Sequence, residues 1–165
     1  MSDLAAAIGQ NRAHVEHFIA TMLAVRGTWT TPVRPGKWSP AEVCEHIVLS
    51  YRKAAALVRG EASDFPKAPR LLRPLIRNLA FDRVIKRGAF MGRARTFKAI
   101  TPDAVAASPD DAVEQLREAV AECETALETL GETALAHPMF GAVPAADYLR
   151  FLAVHTLHHQ KQLTP

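Results

Sequence analysis

Cysteine is scarce in this sequence of 165 residues, and the aromatics make up only 7% of it. The two cysteines, Cys44 and Cys123, match no disulfide framework and no spaced cysteine zinc motif. They read as buried free thiols in a reducing, cytoplasmic setting. No apolar run approaches the roughly 20 residues that a bilayer-spanning helix needs. The first ten residues have neither a basic stretch nor a clean apolar core, so no signal peptide is expected. No helix-turn-helix signature and no interleaving of basic with aromatic residues is present, so nucleic acid is not an expected partner. Internal repeats and low-complexity tracts are also missing.

What is present is a chain with 48% hydrophobic residues, enough to build one core as a single domain over residues 1–165. The net charge is only +3, but it is unevenly distributed. Residues 61–107 carry ten Lys or Arg, among them Arg70, Arg73, Arg77, Arg93 and Arg95, against the four acids Glu61, Asp64, Asp82 and Asp103. This basic connector reads either as a solvated linker or as a contact for an anionic partner such as a ligand or membrane surface. The Arg70, Arg73 and Arg77 series is placed to face an anionic thiol or carboxylate, or to form a wet helix face.

Apolar residues recur with helical period along most of the chain. Leu4, Ile8, Val15, Phe18, Ile19 and Met22 form one stripe over residues 2–26, with Gly27 as the stop. Ser39, Pro40 and Glu42 make a complete start signal for a second helix. Trp38 is placed to pack against Val43, and the helix runs to about Arg59, with Gly60 closing it. Its stripe is Val43, Ile47, Tyr51, Ala54 and Leu57 or Val58, bordered by His46 and Ser50. Leu71 to Arg87 reads as an additional amphipathic helix built on Leu72, Leu75, Ile76, Leu79, Val84 and Ile85. Gly88, Gly92 and Pro102 flank looser pieces. Ser108-Pro109 starts another helix, striped by Val113, Leu116, Val120, Cys123, Leu127 and Leu130 and closed by Gly131. Pro144 starts the last, which runs to about Leu163. Four main helices with one long connection give an all-α four-helix bundle with a long crossover between its second and third helices.

The last helix holds His155, His158 and His159. His155 and His159 stand one turn apart on one face, a spacing that offers two imidazoles to one ion or places two partly buried histidines at a polar helix end. His158 is about 100° away from His159 and is set aside as a ligand. His46 is the candidate third ligand, if its helix packs in register with the last one. Three protein ligands with an open position is the pattern of a catalytic metal site. Imidazole suits a divalent transition metal such as Zn or Ni, with Fe and Cu also accommodated. Glu42, one turn before His46, is placed to orient its ring. Gln162 is placed to hold His159 from behind, and Tyr148 shares the His155 face. His14 reads as a core-edge histidine, and His137, before Pro138, reads as a loop-shaping hydrogen-bond partner or a residue at a pocket mouth. Trp29 and Trp38 read as loop anchors.

Three segments taken together resemble the DinB/YfiT-like superfamily. They are Trp38-Ser39-Pro40-Ala41-Glu42-Val43-Cys44-Glu45-His46-Ile47, then His137-Pro138-Met139-Phe140-Gly141, and then Tyr148-Leu149-x-Phe151-x-x-x-His155-x-x-His158-His159-x-x-Gln162. The resemblance implies a helical bundle with a divalent metal held by His46, His155 and His159. It also implies a small-molecule substrate, a homodimer, and chemistry dependent on a low-molecular-weight thiol such as bacillithiol or mycothiol, with hydrolysis as the next choice. A non-catalytic stress-response or binding module whose basic connector meets an anionic partner is the competing reading, and a closed structural metal site is a third. The chain ends its motif His159-Gln-Lys-Gln162, where the commoner pattern is His-Arg-Gly-Gln.

Overall fold

The computed structural model describes residues 3–90 and 96–163, so Gly92, Arg93 and Arg95 of the connector lie outside the described residues. The elements are α1 (Asp3–Ala24), α2 (Pro40–Val58), α3 (Arg73–Ile76), α4 (Arg83–Arg87), α5 (Pro109–Leu130), β1 (Leu135–His137), β2 (Gly141–Val143) and α6 (Ala145–Gln160). The protein is therefore mostly helical, with a two-stranded antiparallel sheet that the expected all-α class did not include. Its strands are three residues each, too short for an alternating pattern to show in the sequence. The tight turn between them relies on Gly141 at φ 75°.

Capping chemistry sets most helix ends. At α2 the Ser39 Oγ accepts the Glu42 N–H at 3.3 Å, and the Ser39 N–H donates to Glu42 Oε2 at 2.7 Å. That reciprocal pair satisfies two otherwise unpaired amides. The helix closes with the Gly60 N–H on the Leu57 carbonyl at 3.1 Å, Gly60 taking φ 77°. Ser108 caps α5 through the Asp111 N–H at 3.1 Å. The first helix departs from expectation at its end. It stops at Ala24, and Gly27 lies inside a 3₁₀ turn over Arg26–Thr28 without the left-handed conformation of a helix stop.

The apolar stripes face one core. Phe18, Met22, Ile47, Ala54, Leu116, Leu127 and Leu149 are fully buried, and each large aliphatic or aromatic side chain so buried contributes about 2 kcal/mol. Helix α2 lies along α5, and α1 along α6. A polar chain crosses this core and ties all four long helices. The Tyr51 hydroxyl donates to Asn11 Oδ1 at 2.7 Å and lies 3.2 Å from Thr156 Oγ1. Asn11 Nδ2 in turn donates to Glu124 Oε1 at 3.3 Å, and Arg12 Nε donates to Glu124 Oε2 at 2.8 Å. Each buried member has a partner, so the network costs little and specifies how the helices meet.

The connector is helical from residue 70 to 87, but not as one regular α-helix. A 3₁₀ turn at Arg70–Leu72 leads into α3, a wider π-helical segment at Arg77–Asp82, and α4. The widened turn shifts the helical face. As a result Phe81 is fully buried, stacked on Phe151 at 4.9 Å, while Leu72, Leu75 and Leu79 are exposed, contrary to the stripe expected for them. No helix among the described residues is long and apolar enough to cross a membrane.

Candidate metal centre

The long helices bring His46 from α2 against His155 and His159 from α6. His155 Nε2 lies 3.1 Å from His46 Nε2 and 3.1 Å from His159 Nε2. The one-turn spacing on α6 supplies the second of these distances, and the packing of α2 against α6 supplies the first.

The other ring nitrogens define which tautomers are present. His46 Nδ1 lies 2.6 Å from the Ile100 carbonyl oxygen, which can only accept, so Nδ1 carries the proton. His159 Nδ1 lies 3.1 Å from Gln162 Oε1, again an acceptor. The Nε2 atoms of His46 and His159 are thus bare lone pairs turned toward His155. A proton on His155 Nε2 can satisfy only one of them. A cation at the centre satisfies all three. Metal–nitrogen bonds of about 2.0–2.1 Å separate neighbouring donor atoms by about 2.8–3.4 Å in octahedral to tetrahedral arrangements. The observed 3.1 Å falls inside that interval, so the donor set fits a divalent ion.

Burial keeps these imidazoles uncharged. His46 is pushed down to about 4, chiefly by burial, and His159 to about 3 by burial and then by its neighbour His46. His155 is held well below the ordinary histidine value by burial and by His159, His46 and His158. Neutral imidazole is the form that binds metal.

The structure separates the other expected residues. Gln162 holds His159 from behind, as its spacing implied. Glu42 does not orient His46: its carboxylate is taken up by the backbone N–H and hydroxyl of Ser39, and the Ile100 carbonyl does that work instead. Tyr148 lies two turns from His155, beside His137 with ring centroids 5.6 Å apart, and touches none of the three histidines among the described contacts. Trp38 is more than a loop anchor. Its ring lies 4.9 Å from that of His46 and stacks 6.2 Å from that of His159. Trp38 lies just before the Ser39 cap, outside the helix, so helical spacing gave no signal for that contact. Trp29 does anchor a loop, through Nε1 on the Ala106 carbonyl at 3.1 Å. Cys44 and Cys123 are buried free thiols, pushed up to about 12 mainly by burial, and neither joins the histidines. The Ile100 carbonyl had no sequence signal, because every residue carries one.

The three histidines line a cavity of about 740 Å³. Five of the seven phenylalanines line it: Phe65, Phe90, Phe97, Phe140 and Phe151. Phe90 packs edge-on to His155 at 5.6 Å and lies 5.4 Å from His158, which also lines the wall. Of the arginine series, Arg73 braces the Ala68 carbonyl at 3.0 Å, and Arg77 bonds the Ala142 carbonyl and Asp82. None of Arg70, Arg73 and Arg77 lines the cavity. Arg83 and Lys37 do.

No curated protein matches this chain in a sequence comparison. No solved structure matches it either. The sequence model of one family does match, over residues 7–163, a span that takes in all three histidines, both strands and the whole connector. The chain belongs to the DinB superfamily.

Proposed function

We propose that the protein is a divalent-metal-dependent enzyme in which His46, His155 and His159 hold the ion and a small thiol is transferred to an electrophilic substrate. The observation that carries this reading is the convergence of three Nε2 atoms in the wall of a cavity, two of them stripped of protons by acceptors on the far side of their rings. The scaffold in this reading is a four-helix bundle of α1, α2, α5 and α6, with the connector as its crossover, and the working unit is a homodimer. Zn or Ni suits the all-imidazole set.

A divalent ion bound there supplies Lewis-acid chemistry, which makes a thiol or water acidic enough to serve as a nucleophile near neutral pH. The chain's own residues do the rest. Ile100 and Gln162 keep the donor tautomers of His46 and His159. The phenylalanine walls keep water away from the reacting atoms. His158, whose basicity is lowered by burial and by Lys161, would take the thiol proton as the sulfur–carbon bond forms, while the electrophile's carbon–leaving-group bond breaks and the leaving group departs as an anion with that electron pair. The His155 ring is half-buried and opens on the cavity, which favours a site that admits substrate over a closed structural one.

Metal analysis of the untagged protein tests the assignment. About one divalent ion per chain is expected, and almost none in His155→Ala. A full complement of metal in that variant sinks it. Transfer of bacillithiol or mycothiol to 1-chloro-2,4-dinitrobenzene, lost on chelation and restored by Zn or Ni, tests the chemistry.

The connector favours a second reading. Leu71, Leu72, Leu75 and Leu79 are exposed on a segment that also carries Lys67, Arg70, Lys86 and Arg87. A binding module docking this face on an anionic surface predicts vesicle binding that falls with salt and ignores chelators.

A further inference from the structure

His137 stands away from the three histidines, and its own hydrogen bonds do not use the whole ring. Its Nδ1 accepts the N–H of Met139 at 3.1 Å and that of Phe140 at 3.3 Å. Both bonds run to the same nitrogen, so that nitrogen is bare and the proton sits on Nε2. The residue is only 4% exposed and lines the cavity, yet Nε2–H has no hydrogen-bond partner among the described residues. Among the described residues only His14 Nδ1 is a side-chain atom both buried and unpartnered, so His137 Nε2–H is open to the cavity it lines, where it can donate to a bound acceptor.

The ring around that donor is held on several sides. It stacks on Phe140 at 4.5 Å and leans on Tyr148 at 5.6 Å and Phe65 at 5.9 Å. Tyr148 and His155 are seven residues apart on α6, about 10 Å of helix rise. His137 and the three histidines of the metal centre line one chamber, together with five phenylalanines. The chamber also has a charge bias: Lys37 and Arg83 line it, and no carboxylate does among the described residues.

We infer that the chamber binds a ring-containing anionic compound, whose anionic end meets the three-histidine centre and whose other end presents a carbonyl-type acceptor to His137 Nε2–H. The placing of the anionic end rests on the metal reading above. The His137 contact does not. Aromatic walls favour a flat apolar body, and a fixed donor in the cavity wall discriminates against an analogue that cannot accept its proton. His137 is in these terms a substrate-positioning residue. Burial, with Arg73 nearby, pushes it down to about 4, so it remains neutral and Nδ1 keeps the turn closed.

The test is calorimetric binding of 4-acetylbenzoate, 4-ethylbenzoate and 4-acetylbenzamide to the full chain, both metal-loaded and chelated. The acetyl and ethyl compounds match in size, and only the first carries an acceptor at its far end. In wild type the acetyl compound is expected to bind about tenfold tighter than the ethyl compound in both metal states. The preference is expected to vanish in His137→Asn, which keeps an acceptor for the two backbone amides but is too short to reach the cavity. The neutral amide is expected to bind several-fold more weakly than 4-acetylbenzoate, and equal binding overturns the anionic part. Equal affinity of the acetyl and ethyl compounds in wild type, or no measurable binding of 4-acetylbenzoate at millimolar concentration, overturns the His137 assignment. Failure of the metal reading has a different signature: chelation leaves every affinity unchanged, while the acetyl preference persists.

Discussion

The carbonyl oxygen of Ile100 lies 2.6 Å from His46 Nδ1, so the end of the basic connector determines which nitrogen of an α2 histidine faces α6. A segment whose side chains read as linker thus supplies, through its backbone, one of the two acceptors that prepare the three-histidine centre.

Gln162 supplies the other, 3.1 Å from His159 Nδ1. Gln162→Met is expected to weaken divalent metal affinity by about 10- to 100-fold while leaving the three histidines in place. Competition with a chromophoric chelator measures it, and unchanged affinity removes Gln162 from the site.

Trp38 reports on the same centre, because its ring packs against His46 and His159. Addition of Ni²⁺ to metal-free protein is expected to quench tryptophan fluorescence. The response is expected to disappear in Trp38→Phe and to persist in Trp29→Phe. A response that survives loss of Trp38 places the ion elsewhere.

Asn11 carries the junction of the buried polar chain, touching both Tyr51 and Glu124. Asn11→Leu leaves those two groups short of a partner in the core. The expected loss is about 2 kcal/mol, or about 5 °C in Tm for a domain of this size. Thermal unfolding of the metal-free protein measures it, and a Tm at or above that of wild type contradicts the network's role.

His137 contributes to the acid limb of stability alongside His46, His155 and His159, which burial also holds neutral. Its folded-state value of about 4 lies below the ordinary 6.5, so folding holds the ring neutral. Stability is full above about pH 6.5 and falls as the pH drops toward 4, because the unfolded chain takes up the proton first. The full effect is worth about 3 kcal/mol. Denaturant titrations between pH 7 and 4 are expected to show a shallower fall in His137→Asn than in wild type. Parallel curves would mean that His137 is protonated in the fold.

What the sequence determined was local. Ser39-Pro40 and Ser108-Pro109 mark helix starts, because a cap acts on amides two or three residues away. The i, i+4 relation of His155 and His159 and the i, i+3 relation of His159 and Gln162 follow from the helical repeat. Signals of this kind also located the four long helices, whereas the pairing of His46 with the last of them was implied only by the family resemblance. Where two local uses competed for one side chain the sequence was ambiguous: Glu42 stands one turn from His46, but the closer Ser39 amide claims its carboxylate. Only the tertiary structure decided the rest. The Ile100 carbonyl on His46, Trp38 against His159, the hairpin that frees His137 Nε2–H, and the chamber that His137 and His155 line all join residues far apart in the chain. They depend on how helices pack and on a backbone turn, and neither is written in the spacing of side chains.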